Sequence, residues 1–95
     1  MIDRTHYGIV AFPSSQAAGQ AELVFSESGR TSRLIPLPPQ LSAGCGLVLQ
    51  FDWKEREEIR LFLEQKEIRY SGVYEVVLTE KRQKTIRLWR EKEER

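Results

Sequence analysis

The sequence predicts an α+β sandwich, an antiparallel sheet with two helices on one face. Two observations predict it. Short apolar runs of strand length alternate with helix-spaced apolar stripes, in the order β-α-β-β-α-β. The joints between them carry Pro, Gly, Ser or Asp, the residues that stop one element and cap the next. A third observation sets the scale. At 95 residues one domain is expected, burying roughly 60–70% of the surface its unfolded chain exposes.

Each element has its own warrant. Residues 7–12, Tyr-Gly-Ile-Val-Ala-Phe, form an apolar run of strand length. Pro13-Ser14-Ser15 ends it and offers hydroxyls for capping a helix. From there to Ser28, Ala17, Ala18, Ala21, Val24 and Phe25 recur at helical spacing, and the small alanines let that helix sit close to a sheet. Gly29 fits the left-handed stop. Residues 31–36 read as a second strand. Leu37-Pro38-Pro39-Gln40-Leu41-Ser42-Ala43-Gly44 is a loop whose prolines forbid regular pairing. Gly46 to Phe51 is the third strand, with Leu47, Leu49 and Phe51 on one face and Val48 and Gln50 on the other. Asp52 reads as an N-cap with Glu55 in the capping-box position, opening a helix over residues 53–66 that buries Ile59, Phe62 and Leu63. A fourth strand spans residues 73–79, with extra pairing at Ile68-Arg69-Tyr70 as an option. Residues 85–89 fit either a returning hairpin strand or a charged helix. This order is expected to give a ferredoxin-like βαββαβ sandwich with a four-stranded sheet. Residues 1–79 would form the domain and 80–95 a charged extension.

Charge narrows the function. The net charge is +1, so there is no global electrostatic case for nucleic acid or an anionic membrane. Residues 80–95 hold seven Lys/Arg against four Glu, while the rest holds eight against ten Asp/Glu. The basic tail is interrupted by Glu91, Glu93 and Glu94, which disfavours a nucleic-acid patch. No apolar stretch has signal-peptide or membrane-span length. With one cysteine and thus no internal disulfide, a cytoplasmic setting is expected. One His and one Cys also make a protein-only zinc site, or a Cys-His hydrolase, a poor fit. No phosphate-binding glycine motif is present, and no cofactor is expected. Glu55, Glu57, Glu58 and Glu64 read as a solvated helix face, and Trp53 and Trp89 as packing.

The remaining chemistry centres on Cys45, flanked by Gly44 and Gly46. In the expected topology the third strand lies between the first two, so Cys45 falls at the end of the sheet where Ser14 and Ser15 open the first helix. His6 falls at the opposite end. Unpaired N–H groups at a helix N-terminus favour an anion and lower a thiol's pKa. The glycines allow close approach, and Ser14, Ser15 and Ser42 could hydrogen-bond a sulfur anion. The plain alternative is that Cys45 is a small packed hydrophobe.

Phe12-Pro13-Ser14-Ser15 before an Ala-rich helix, Arg33-Leu34-Ile35-Pro36-Leu37-Pro38, and Ser42-Ala43-Gly44-Cys45-Gly46-Leu47 together resemble a family of small bacterial domains. That family is the selenium/sulfur carrier protein-like one, and the resemblance covers about residues 6–75. The chain departs from it at Pro39-Gln40, where members tend to carry a basic residue. The resemblance implies that Cys45 carries sulfur or selenium as a persulfide or selenenylsulfide, between a donor enzyme and an acceptor protein, as a carrier rather than a catalyst. The rival expectation is a non-enzymatic binding or regulatory module in which Cys45 is structural. In either case edge strands could pair two copies.

Overall fold

The first strand, β1, runs His6–Ala11 and is buried along nearly its whole length, as expected of a strand covered on both faces. The computed structural model describes residues 2–29, 32–41 and 46–91. After β1 come helix α1 (Ser15–Glu27), strands β2 (Ser32–Pro36) and β3 (Leu47–Phe51), and a 3₁₀ turn over Trp53–Glu55. Helix α2 (Arg56–Gln65) and strands β4 (Gly72–Leu78) and β5 (Lys84–Glu91) complete the chain.

The sheet order is β2-β3-β1-β4-β5, and every neighbouring pair is antiparallel. This corrects the expected four-stranded, ferredoxin-like sandwich: the sheet has five strands, with β5 added beyond β4, while β3 lies between β1 and β2 as expected. The added strand is the segment that the sequence left open between strand and helix. Thr79 accepts at its hydroxyl from the Gln83 N–H and donates its own N–H to the Gln83 carbonyl, closing a turn around left-handed Arg82 (φ 60°). That turn returns the chain along β4. Pairing with β4 then supplies partners for backbone groups that a charged extension would leave to water.

One irregularity aims a large side chain. Val73 pairs with Arg90 but Tyr74 pairs with Leu88, so Trp89 is an extra residue in β5. Such bulges rotate the strand locally. Trp89 packs on the helix side of the sheet, whereas Ile86 packs on the other.

The two faces carry separate clusters. Val10, Leu49, Phe51 and Val73 meet Ala17, Ala18, Ala21 and Phe25 of α1 and Ile59 and Leu63 of α2. Both helices therefore cover one face, as expected. The alanine stripe lets α1 lie close over β2 and β3. Each fully buried large side chain, such as Phe12, Phe25 or Leu63, contributes about 1.5–3 kcal/mol. The other face holds Tyr7, Ile9, Ala11, Val48 and Val76, with Leu37 and Leu41 packed against them.

The helix ends follow their sequence signals with one change. Ser14 caps α1, and Gly29 stops it at φ 76°. Asp52 accepts from the Lys54 N–H at 3.1 Å, but what it caps is the 3₁₀ turn, and the α-helix begins only at Arg56. Residues 68–70 form no strand. Ile68 donates to the Leu63 carbonyl, and pairing with β1 starts where Ser71 donates to Ala11. Among the described residues, no helix is long and apolar enough to cross a membrane.

Candidate functional site

The antiparallel register brings three chain segments to one end of the sheet. Ala11 at the end of β1 pairs with Val48, and Pro36 at the end of β2 pairs with Leu47 at the start of β3. The connection from β2 to β3 is closed at its base by the Leu37 N–H donating to the Gly46 carbonyl at 2.9 Å. Within it, Leu41 donates to the Pro38 carbonyl, making a turn of the Pro38-Pro39-Gln40-Leu41 stretch. Gly46 holds φ 72°, a left-handed conformation that a side chain resists, and it is exposed.

The expected binding groups divide on this frame. Ser14 stands at the same end of the sheet, after Phe12 and Pro13, in extended conformation (φ −151°, ψ 159°). Its hydroxyl accepts from the Ala17 N–H at 3.2 Å, so it already satisfies one free donor of the helix terminus. Ser15, the first residue of α1, is exposed. Ser42, Gly44 and Cys45 lie outside the described residues. The loop's described flanks lie at the same end as the α1 N-terminus, but Leu37 and Leu41 pack on the face opposite α1. The expectation that Cys45 faces the helix N-terminus therefore rests on sheet end alone.

His6 sits at the other end of β1, opposite Val77. Its Nε2 is 2.5 Å from Glu75 Oε2, and its ring lies 5.9 Å from that of Trp53. Trp53 in turn meets Trp89 edge-on at 5.5 Å, and the Arg56 guanidinium lies 5.0 Å from the Trp53 ring centre. This patch is the packing role expected of the two tryptophans. On α2, Arg60 reaches Glu57 at 3.2 Å and Glu64 at 3.4 Å, consistent with a solvated charged face. Among the described residues, no group of His, Cys, Asp and Glu could hold a metal.

A family model described as Putative Se/S carrier protein-like matches residues 7–75, from the second residue of β1 into β4. The chain belongs to this family. The match runs through α1, the Pro-rich loop with its Gly-Cys-Gly, and α2. No curated protein and no solved structure matches the chain. The β2–β3 connection, inside the matched region, holds the chain's one cysteine.

Proposed function

We propose that the protein carries sulfur or selenium on Cys45, as a persulfide or a selenenylsulfide, between a donor enzyme and an acceptor protein. The observation that carries this reading is the family match over a chain with a single thiol. Covalent sulfur or selenium carriage through an S–S or S–Se bond requires a thiolate, and Cys45 is the residue able to supply one. The tied loop base and exposed Gly46 are consistent with a segment offered to another protein.

The transfer needs no external oxidant. The Cys45 thiolate attacks the terminal sulfur of a donor cysteine persulfide, the donor's S–S bond breaks, and the donor leaves as thiolate. Cys45 then holds the persulfide, and the electron count is unchanged. A terminal selenium on the donor would transfer in the same way. Delivery repeats the exchange, with an acceptor nucleophile taking the terminal atom and Cys45 leaving as thiolate. No general base is required, because the donor supplies an activated atom. His6, engaged with Glu75 at the far end of β1, is not needed. A nearby α1 N-terminus would help by keeping more of the thiol ionised.

Intact-mass measurement after incubation with a cysteine desulfurase and cysteine tests the reading. Wild type should gain the mass of one sulfur atom, removable by reductant, and Cys45→Ser should gain none. No adduct on wild type, or an equal adduct on the variant, rejects it. Alkylation by iodoacetamide across pH separates the carrier from a module with a structural cysteine. A carrier thiol reacts with a pKa below that of free cysteine, and a packed one is protected.

A further inference from the structure

The helix-free face of the sheet holds a cleft of about 1070 Å³ that no sequence motif announced. Its floor is made by Tyr7 of β1, Gln50 of β3, and Arg33 and Ile35 of β2. One side is the Pro-rich stretch that follows β2, held against this face by Leu37. The other is the β4–β5 turn, contributing Arg82 and Lys84, with Arg4 beside it. The Leu78 N–H bonds the Thr5 carbonyl at 2.8 Å, which fixes that turn beside the segment carrying Arg4.

The charge of this cleft is one-sided. Arg4, Arg33, Arg82 and Lys84 line it, all four are exposed, and no carboxylate is in the described lining. Among the described residues, none of the four has an ion-pair partner. Over the whole chain the net charge is only +1, so these cations represent concentration rather than overall excess. They come from three separate segments, which the antiparallel sheet collects on one face. Clefts lined by one sign of charge raise the local concentration of opposite charge and speed its association.

We infer that this cleft is the docking site for an acidic polypeptide segment of a partner protein. The inference deepens the carrier reading and rests on it for the partner being a protein. Three features favour such a segment over other anions. The volume lies at the upper end of the usual range for small-ligand pockets, about 300–1,000 Å³, and the cations are divided between the floor (Arg33) and the turn side (Arg4, Arg82 and Lys84). A nucleic-acid strand would call for exposed aromatic platforms, yet the one aromatic in the described lining, Tyr7, is only 4% exposed. The Pro-rich wall is conformationally restricted, so a segment laid along it meets a surface that loses little entropy on binding.

The docking wall is continuous with the base of the Cys45 loop. Leu37, a lining residue, is the one whose N–H is bonded to the Gly46 carbonyl. A partner seated in the cleft thus touches the loop's first residues.

Fluorescence anisotropy with a labelled oligo-glutamate peptide, at low ionic strength and on Cys45→Ser protein, tests this. The peptide should bind, and affinity should fall as salt rises. Joint Arg33→Gln, Arg82→Asn and Lys84→Gln substitution should weaken binding about tenfold or more. Asn is chosen at 82 because it tolerates the left-handed backbone there. Lys54→Gln with Arg69→Gln, exposed cations outside the cleft, should change it less than twofold. Absence of peptide binding overturns the inference, and so does an equal loss in the control pair. Tighter binding of a thymidine oligonucleotide through the same three side chains overturns it in favour of nucleic acid. Displacement by inorganic phosphate at matched charge overturns it in favour of a small anion. Should the triple variant fail to fold, amide shift mapping on the unsubstituted cleft decides. Shifts confined to the cleft lining, at residues 4, 7, 33, 35–40, 50 and 82–84, support the site, and shifts centred elsewhere refute it. A missing sulfur adduct leaves this binding result readable, because the measurement uses protein without the thiol.

Discussion

Gly8→Ala is expected to strain the centre of the sheet. Gly8 sits opposite Phe51 in the β1–β3 pair, and a methyl group there would lie 2.2 Å from Phe51 Cζ and 2.6 and 2.7 Å from its two Cε atoms. Carbon atoms normally rest about 3.5–4.0 Å apart. The aromatic ring has no easy escape. Phe51 is 1% exposed, and its ring stacks near Trp53 at 6.4 Å. The strain must then be taken up by separating β1 from β3, the central pair of the sheet. Overpacking of this kind costs about 1–3 kcal/mol, a large share of the 5–15 kcal/mol typical of a domain's stability. For a chain this size the melting temperature should fall by roughly 5–20 °C. Thermal unfolding followed by circular dichroism, with urea titration as a second measure, reads the effect. The double variant Gly8→Ala with Phe51→Leu supplies the decisive comparison. Removing the ring should cancel part of the cost, so the double variant should lose less than the summed singles, by about 0.5 kcal/mol or more. A Gly8→Ala protein within 0.5 kcal/mol of wild type (about the noise of surface substitutions), or strict additivity in the double variant, would refute the steric reasoning.

Other glycines should respond differently. Gly19→Ala, in the exposed interior of α1 with open space at the new methyl, should raise stability by about 0.5–1 kcal/mol in the same unfolding assay. Gly46→Ala also meets open space but must hold φ 72°, and should cost about 1–2 kcal/mol, with faster amide exchange at Leu37. Ser14→Ala removes the acceptor for the Ala17 N–H and should cost about 0.5–2 kcal/mol by urea unfolding. Tyr70 has its pKa raised, first by burial and then by the negative charge of Glu64, against the pull of Arg60 and Arg90. Above about pH 10 the unfolded chain releases this proton before the folded one does, so stability should fall as pH rises towards the raised folded value. Tyr70→Phe should flatten that alkaline decline in melting temperature, and an unchanged pH profile would count against the assignment.

Much of the local structure was legible because it depends on neighbours in the chain. The Ala17, Ala18, Ala21 and Phe25 stripe predicts a helix whose buried side is the one observed. The alternation of Leu49 and Phe51 against Val48 places those residues on the two faces where they lie. Ser14 and Gly29 mark the ends of α1 because capping and left-handed stops act within one helical turn. The Asp52 signal was read correctly as a cap but not as the cap of a 3₁₀ turn, since both helix types offer the same first donors to a carboxylate. Residues 85–89, now within β5, could not be decided from the sequence. Thr85, Ile86 and Leu88 satisfy a strand or a helix equally, and only the free edge of β4 made pairing the better solution.

The site divides along the same line. By itself the sequence determines that the thiol is single, that it is set between glycines, and that the loop before it is stiffened by prolines, because these are properties of covalent order. Tertiary structure alone decides which distant groups that loop meets. It ties Leu37 to Gly46, lays Leu37 and Leu41 on the face away from α1, and gathers Arg4, Arg33, Arg82 and Lys84 around one cleft. Those four cations are separated by up to 80 positions in the chain. No local pattern encodes their meeting, which arises from strand register summed across the whole sheet.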